Sequence, residues 1–417
     1  MINYRNEHQR VVITGLGALT PLGSMDNYWE NLKAGKSGIS RVSLFDPGKL
    51  DVQIAGEVDF EPGDYIDRKS ARRMSRASQL ALIAARMAQE DSGMSRESIA
   101  AEGDRVAVVV GTANAGFGTL VDISYQYTYE GRKPFPTSLI NGLPNMPGYY
   151  ISLEMGATGP LTTISTTCAS GTQSIGYGQE LIQLGKADIV FAGGVDCLIR
   201  EEVMGAFDAM TVLARSSNHH PEKASRPFDN NREGFVLAEG AGIIVLESLE
   251  HAQKRNAQMY AEVLGHAASS DAHHIATPEE EGLGAQKAMR WALQDAHLSP
   301  EQVEYINAHG TATRVNDITE TNAIKQVFGE HAHRIPISST KSMIGHSMGA
   351  SGTLEAIACI KSLQEGVLHP TINLETPDPQ CDLDYIPAVA RQVQINTALS
   401  NSFGLGGQNA CLVLGKV

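Results

Sequence analysis

Cys168 stands in the run Thr-Thr-Ile-Ser-Thr-Thr-Cys-Ala-Ser-Gly-Thr, residues 162–172. β-Branched residues over 162–167 predict a strand, and the pattern over 173–184 predicts a helix directly after it. A cysteine at such a junction faces the positive end of a helix. That end stabilises a thiolate and offers free N–H groups to an oxyanion. A free cysteine alone is more often a small buried hydrophobe. Two later segments shift that balance. Tyr-Ile-Asn-Ala-His-Gly-Thr-Ala-Thr spans 305–313, and Ser-Ser-Thr-Lys-Ser-Met-Ile-Gly-His-Ser-Met-Gly-Ala-Ser-Gly-Thr spans 338–353. Each is a short β-like stretch closing on a histidine beside glycine. His309 and His346 are thus expected at strand ends, near an exposed nucleophile.

The elements that must position these groups alternate along the chain. Strands are expected at Val11–Thr14, Val106–Val110, Ala187–Ala192, Gly242–Leu246 and Ala410–Leu414, and helices at Arg73–Asp91, Gly284–Ala296, Asp317–Val327 and Thr353–Gln364. This alternation implies an α/β fold of layered sheets. Gly15-Leu16-Gly17-Ala18-Leu19-Thr20 resembles half of a dinucleotide fingerprint, but Pro21 follows where a helix should begin, so it reads as strand and loop. The chain has 417 residues, 42% hydrophobic and 19% charged, with 41 glycines, which suits a soluble protein with many tight strand–helix turns. A net charge of −14 argues against a general nucleic-acid binder. Cys168, Cys197, Cys359, Cys381 and Cys411 are widely spaced, with no C-x-x-C pair. They suggest neither a disulfide framework nor a zinc site, and a reducing cytoplasm fits them. No signal peptide and no apolar stretch long enough for a membrane span is visible.

Ala-Ser-Gly-Thr occurs twice, at 169–172 after Cys168 and at 350–353 after His346. The surrounding pattern repeats as well. Duplicated halves are expected, 1–256 with the nucleophile and 257–417 with both histidines, packed so that Cys168 and His346 reach one site from opposite sides.

Four motifs now resemble a known family: Thr-Thr-Cys-Ala-Ser-Gly, Asn-Ala-His-Gly-Thr-Ala-Thr, Lys-Ser-Met-Ile-Gly-His and Asn-Ser-Phe-Gly-Leu-Gly-Gly-Gln-Asn. They are those of the β-ketoacyl-[acyl carrier protein] synthases of the thiolase fold, most like the synthase II type of fatty acid synthesis. The resemblance covers nearly the whole chain. It implies a five-layered αβαβα fold of two pseudo-symmetric halves, usually a homodimer, though a heterodimer with a related subunit stays open. It implies decarboxylative condensation of malonyl-ACP with an acyl chain held on Cys168. His309 and His346 would bind the malonyl thioester and its enolate. Lys341 would place a positive charge near His346, and the Cys168 and Phe403 N–H groups would form the oxyanion hole. Phe403 would also gate the site. Thr311 and Thr313 would bind the pantetheine arm, and Asn114 and Phe207 would line the acyl pocket. Glu355 and Asn307 would support the network, with room for a Na+ or K+ ion. The 4'-phosphopantetheine arrives on the carrier, so no resident cofactor is implied.

At position 114 a synthase II usually carries isoleucine, so Asn114 implies weak use of long saturated chains. Arg68, Lys69, Arg72, Arg73 and Arg76 are read as one face of a helix over 65–80, a dock for an acidic carrier protein. A degradative thiolase would need a second reactive cysteine, but Cys411 lies in an apolar strand-like run. A chain-length factor would lack the nucleophile. A catalytic ketosynthase of a polyketide or polyene pathway would share every catalytic residue, so that alternative stays open.

Overall fold

The computed structural model describes residues 9–417. Ten strands carry the fold: β1 (Val11–Thr20), β2 (Val106–Gly111), β3 (Leu161–Ile164), β4 (Ile189–Asp196), β5 (Gly240–Ser248), β6 (Ala261–Ser270), β7 (Ile306–Asn307), β8 (Ile337–Ser338), β9 (Thr397–Gly404) and β10 (Gln408–Gly415). The first five run in the order β3-β2-β4-β5-β1, with β2 parallel to both neighbours and β5 antiparallel to both of its own. The other five repeat that order and those directions as β8-β7-β9-β10-β6. The sheets join edge to edge only through Val12–Glu262 and Ile13–Ala261.

Eight helices complete the layers: α1 (Arg76–Asp91), α2 (Phe117–Tyr129), α3 (Met146–Met155), α4 (Ser170–Gln183), α5 (Glu201–Ala209), α6 (Leu283–Asp295), α7 (Arg314–Phe328) and α8 (Ser351–Glu365). α4 and α8 pack on each other between the sheets, each touching strands of both. α1 and α3 cover the outer face of the first sheet, α6 and α7 that of the second. Alternate side chains explain the layering, because a strand sends successive residues to opposite faces. Val109, Ile244 and Leu246 face the central helices, while Val108, Val110, Ile243 and Val245 face α1. This is the expected five-layered αβαβα arrangement of two similar halves.

The repeated Ala-Ser-Gly-Thr marks the centre of that symmetry. A 3-10 turn, Thr167–Ala169, opens α4, and its counterpart, Met348–Ala350, opens α8. The first residue of each turn lies in the left-handed region, Thr167 at φ 51° and Met348 at φ 50°. Cys168 therefore occupies the position equivalent to Gly349. The helices meet at matched glycines. A Cβ on Gly171 would lie 2.7 Å from Gly349 O, and one on Gly352 would lie 2.1 Å from Thr172 Oγ1.

Several sequence expectations need correction. No loop follows Thr14: β1 continues to Thr20. Gly15 and Gly17 serve close packing on α1 instead, since a Cβ there would lie 2.1 Å from Ala88 O and 2.0 Å from Ala84 O. The strand before Cys168 is only Leu161–Ile164, because the chain must turn before α4 begins. The basic segment is not one helix. The helix Arg68–Ala71 ends, and Ser75 caps a new start for α1 by accepting from Ser78 N. Arg76 leaves the basic face and pairs with buried Glu239. The helices α2, α3 and α5 have no counterpart in the sequence expectations.

Candidate active site

Three residues from three loops converge. Cys168 Sγ lies 3.1 Å from His346 Nε2. The His309 and His346 rings are 5.4 Å apart and nearly perpendicular. The sulfur and one ring nitrogen of each histidine all lie within 4.8 Å of one another. All three residues are buried, and Cys168 is only 3% exposed, not the open nucleophile expected. His309 follows the parallel strand β7 by two residues, as expected. His346 does not end a strand: the helical turn Lys341–Ile344 comes first, and a bridge to Leu237 holds the histidine.

Hydrogen bonds set the protons. Lys341 Nζ donates to His309 O at 2.7 Å and stands 3.3 Å from His309 Nδ1. An ammonium only donates, so His309 Nδ1 accepts and Nε2 keeps its proton toward the cavity. Met348 N donates to His346 Nδ1 at 3.3 Å, which leaves Nε2–H on the side of Cys168. Ser351 Oγ, 2.9 Å from the same Nδ1, steadies the ring. Burial and the charge of Lys341 hold both imidazoles well below the ordinary histidine range. Lys341 thus touches His309 rather than His346, although its charge is felt by both. Its ammonium pairs with Glu355, whose carboxyl burial pushes up to about 7.

Burial also pushes the Cys168 thiol up to about 11. The backbone N–H of Leu405 and the Lys341 charge oppose this without reversing it. The resting pair is a thiol and a neutral imidazole, not the thiolate expected at a helix start, because desolvation outweighs the helix end.

Two buried carboxylates hold the loops, and neither was anticipated. Asp196, at the end of β4, accepts from Thr112 Oγ1, Ala113 N, Asn114 N and Gly349 N at 2.7–3.0 Å. Glu320, on α7, accepts from His309 N and Gly310 N, both at 2.8 Å, and from Asn401 Nδ2 at 3.2 Å. An acid closing the apolar run Ile189–Val195 was the available signal for Asp196. Glu320 falls inside the helix expected at Asp317–Val327, where nothing in the sequence sets it apart.

A cavity of about 270 Å³ opens over Cys168, His309 and His346. Its wall includes Thr311, Thr313, Phe403 and Phe235. Thr311 and Thr313 share a hydrogen bond of 2.9 Å. The Phe403 ring lies 5.8 Å from His309 near the end of strand β9, two residues before Leu405, whose carbonyl accepts from Thr167 Oγ1 at 3.0 Å. Phe207 stays one layer back: it packs edge-on against Phe235, which packs edge-on against His346. Asn114 lies outside this wall and is exposed, with its backbone held by Asp196. Asn307 Oδ1, Asn401 Oδ1 and Glu355 Oε2 are buried without a hydrogen-bond partner. Orphaned buried oxygens on Asn307 and Glu355, the two residues expected beside a monovalent cation, are of the kind a hard cation takes. Arg68, Lys69, Arg72 and Arg73 are exposed, and Arg73 stacks over Phe135 at 5.3 Å.

The chain matches the family description Beta-ketoacyl synthase, N-terminal domain, over residues 8–252, and its C-terminal domain over 260–375. It is 43% identical to the 3-oxoacyl-[acyl-carrier-protein] synthase 2 of Coxiella burnetii over 417 residues, covering 99% of each chain. To the enzyme of the same name from Synechocystis sp. it is 42% identical, over 98% of this chain and 99% of that one. Among solved structures it resembles a type II polyketide ketosynthase in complex with its acyl-carrier protein, at a TM-score of 0.91, 35% identity and coverage of 99% and 100%. The ishigamide ketosynthase/chain length factor gives 0.91 and 37%, covering 98% and 100%.

A neutral resting pair has a measurable consequence. Below a thiol pKa near 11 the thiolate fraction rises about tenfold per pH unit. Alkylation of Cys168 by iodoacetamide should therefore climb through pH 9 without levelling. A plateau between pH 6 and 8 would reveal a resting thiolate–imidazolium pair instead.

Proposed function

The chain belongs to the β-ketoacyl synthase family, and from that premise we infer that it is a 3-oxoacyl-[acyl-carrier-protein] synthase of fatty acid synthesis. The observation that carries the chemistry is one thiol within reach of two neutral imidazoles whose Nδ1 atoms are both occupied. Cys168 attacks the thioester of an acyl chain on its carrier. The carrier thiol leaves with the Cys168 proton, and the chain stays on sulfur. Malonyl thioester then enters, and the Nε2–H groups of His309 and His346 donate to its carbonyl oxygen. Loss of CO2 leaves an enolate that these two donors stabilise. The enolate carbon attacks the acyl-Cys168 carbonyl, the thiolate is expelled, and 3-oxoacyl carrier departs. The thiolate regains a proton from solvent, so each turnover consumes one proton and releases one CO2.

Neutral histidines suit this role, since an imidazolium would protonate the enolate it must hold. Burial, with the Lys341 charge beside it, keeps His309 neutral, the Lys341 contact sets its tautomer, and Glu355 balances the buried ammonium. A Na+ or K+ ion held by Asn307 and Glu355, whose orphaned oxygens are buried, would add fixed positive charge beside the His309 strand. No resident organic cofactor is required, because the pantetheine arm belongs to the substrate.

The acyl carrier protein docks on Arg68, Lys69, Arg72 and Arg73, which no acidic side chain pairs among the described residues. A second copy of the chain covers the apolar face of Tyr127, Leu139, Ile140, Leu153 and the free edge of β3. These side chains are 51–66% exposed, and such an edge invites pairing. No helix among the described residues is long and apolar enough to cross a membrane, and the free cysteines suit a cytoplasmic site of action. A polyketide role is the second reading, favoured by the solved type II polyketide ketosynthase at 35% identity, below the 42–43% of the synthase 2 relatives.

The half-reactions test the chemistry. Cys168→Ala should lose condensation and retain decarboxylation of malonyl carrier. His309→Ala should show the reverse, with acylation detectable by intact mass and decarboxylation lost. Condensation by the alanine enzyme at the wild-type rate would sink the assignment.

Charge reversal at Arg72 and Arg73 should raise KM for carrier-bound substrate about tenfold and flatten its salt dependence. KM for a short free thioester should stay put. Unchanged carrier kinetics would reject this dock.

Sedimentation should give twice the chain mass of 44.7 kDa, and Leu139→Glu with Leu153→Glu should return it to monomer. A wild-type monomer at micromolar concentration would end the dimer reading.

A further inference from the structure

His369 takes no part in the chemistry above, yet four side chains converge on it. The residue is fully buried. Its Nδ1 lies 3.1 Å from the carbonyl oxygen of Pro370. A carbonyl only accepts, so Nδ1 carries the ring proton and Nε2 is a bare acceptor. Around Nε2 stand Thr340 Oγ1 at 3.0 Å, Asn307 Nδ2 at 3.2 Å, Tyr305 Oη at 3.3 Å and Ser338 Oγ at 3.4 Å. Asn307 Nδ2 also donates to Thr340 Oγ1 at 2.8 Å. Asn307 and Ser338 close the adjoining parallel strands β7 and β8, Tyr305 directly precedes the first, and Thr340 lies two residues past the second. Asn307 lies two residues before His309, and Thr340 immediately precedes Lys341. The cluster is thus the base on which the Lys341–His309 contact stands.

We propose that His369 is a positioning residue, a buried acceptor that ties the ends of β7 and β8 together so that Lys341 stays on His309. Without Nε2, the amide of Asn307 and the hydroxyl of Thr340 lose a buried partner. Thr340 turns to find another, and the helical turn Lys341–Ile344 turns with it. The ammonium then leaves the 2.7 Å bond to His309 O that fixes the ring. The damage falls on decarboxylation, which uses His309. Acylation is spared, because Cys168 stands on the other half and pairs with His346. The inference rests on the condensation chemistry proposed above.

Two variants test it. His369→Leu removes the acceptor in similar volume, and Thr340→Val removes the bridging hydroxyl without changing shape. In both, kcat for decarboxylation of malonyl carrier should fall at least about tenfold at unchanged KM, with Cys168 acylation by intact mass within about twofold of wild type. His369→Gln should recover most of the loss, since its Oε1 can stand where Nε2 stood. Equal loss in both half-reactions without rescue by glutamine would mark a merely structural histidine and overturn the proposal. Normal decarboxylation by folded Thr340→Val would also overturn it, and that variant decides if His369→Leu does not fold. Wild-type enzyme that neither acylates nor decarboxylates would instead overturn the condensation reading.

Discussion

The site depends on one close approach, that of two helix starts that meet at a glycine on each side. Gly171 and Gly352 let α4 and α8 meet at their first turns, where any Cβ would strike the opposite chain. That approach brings Cys168, at the start of α4, within 3.1 Å of His346, just ahead of α8. Asp196 then binds the Thr112–Asn114 loop and the Gly349 turn through a single carboxylate, so the two halves are tied at the nucleophile itself. Wider spacing at the glycines would separate thiol from imidazole before it disturbed either sheet.

Burial sets the chemistry as firmly as contact does. In water a thiol near two imidazoles and an ammonium would tend to ionise. Here desolvation raises the thiol and lowers both histidines, so every member rests neutral except Lys341, whose charge is met by Glu355. The ammonium is needed where it touches His309, and charged histidines would spoil the enolate step. Burial, aided by the Lys341 charge, thus keeps two neighbouring bases uncharged.

Much of this was legible in the chain. The nucleophile, both histidines and the lysine stand in short motifs of small residues, since little else fits where loops from two halves converge. The repeated Ala-Ser-Gly-Thr revealed the duplication, and the layering followed from alternating apolar runs. What stayed hidden depends on contacts between distant segments. Gly15 and Gly17 look like turn residues until α1 is packed against them. Asp196 and Glu320 look like ordinary acids until loops far away in sequence supply their donors. The depth of Cys168 could not be read from a Ser/Thr-rich run, because the cavity around it is walled by distant residues such as Phe403, Leu405 and Met348. Asn114 was placed by analogy with a pocket isoleucine, and on the single chain its side chain faces outward.

The shared central layer also bears on how the chain is made. Helix α4 lies against strands of both sheets, and α8 does the same from the other half. Through that layer each half buries its inner face on the other, while the sheets pair edge to edge through Val12–Glu262 and Ile13–Ala261. When the ribosome has finished the first half, Ile175, Leu181, Ile182, Ile244 and Leu246 still await Leu354, Ile357 and Ile360. At roughly 5–20 residues per second the wait is on the order of 5–20 s. For that time the nascent chain carries an uncovered apolar face large enough to recruit a holdase or to aggregate. A nucleophile completed early in synthesis therefore remains inert until its imidazole partners, and with them the core, arrive from the second half.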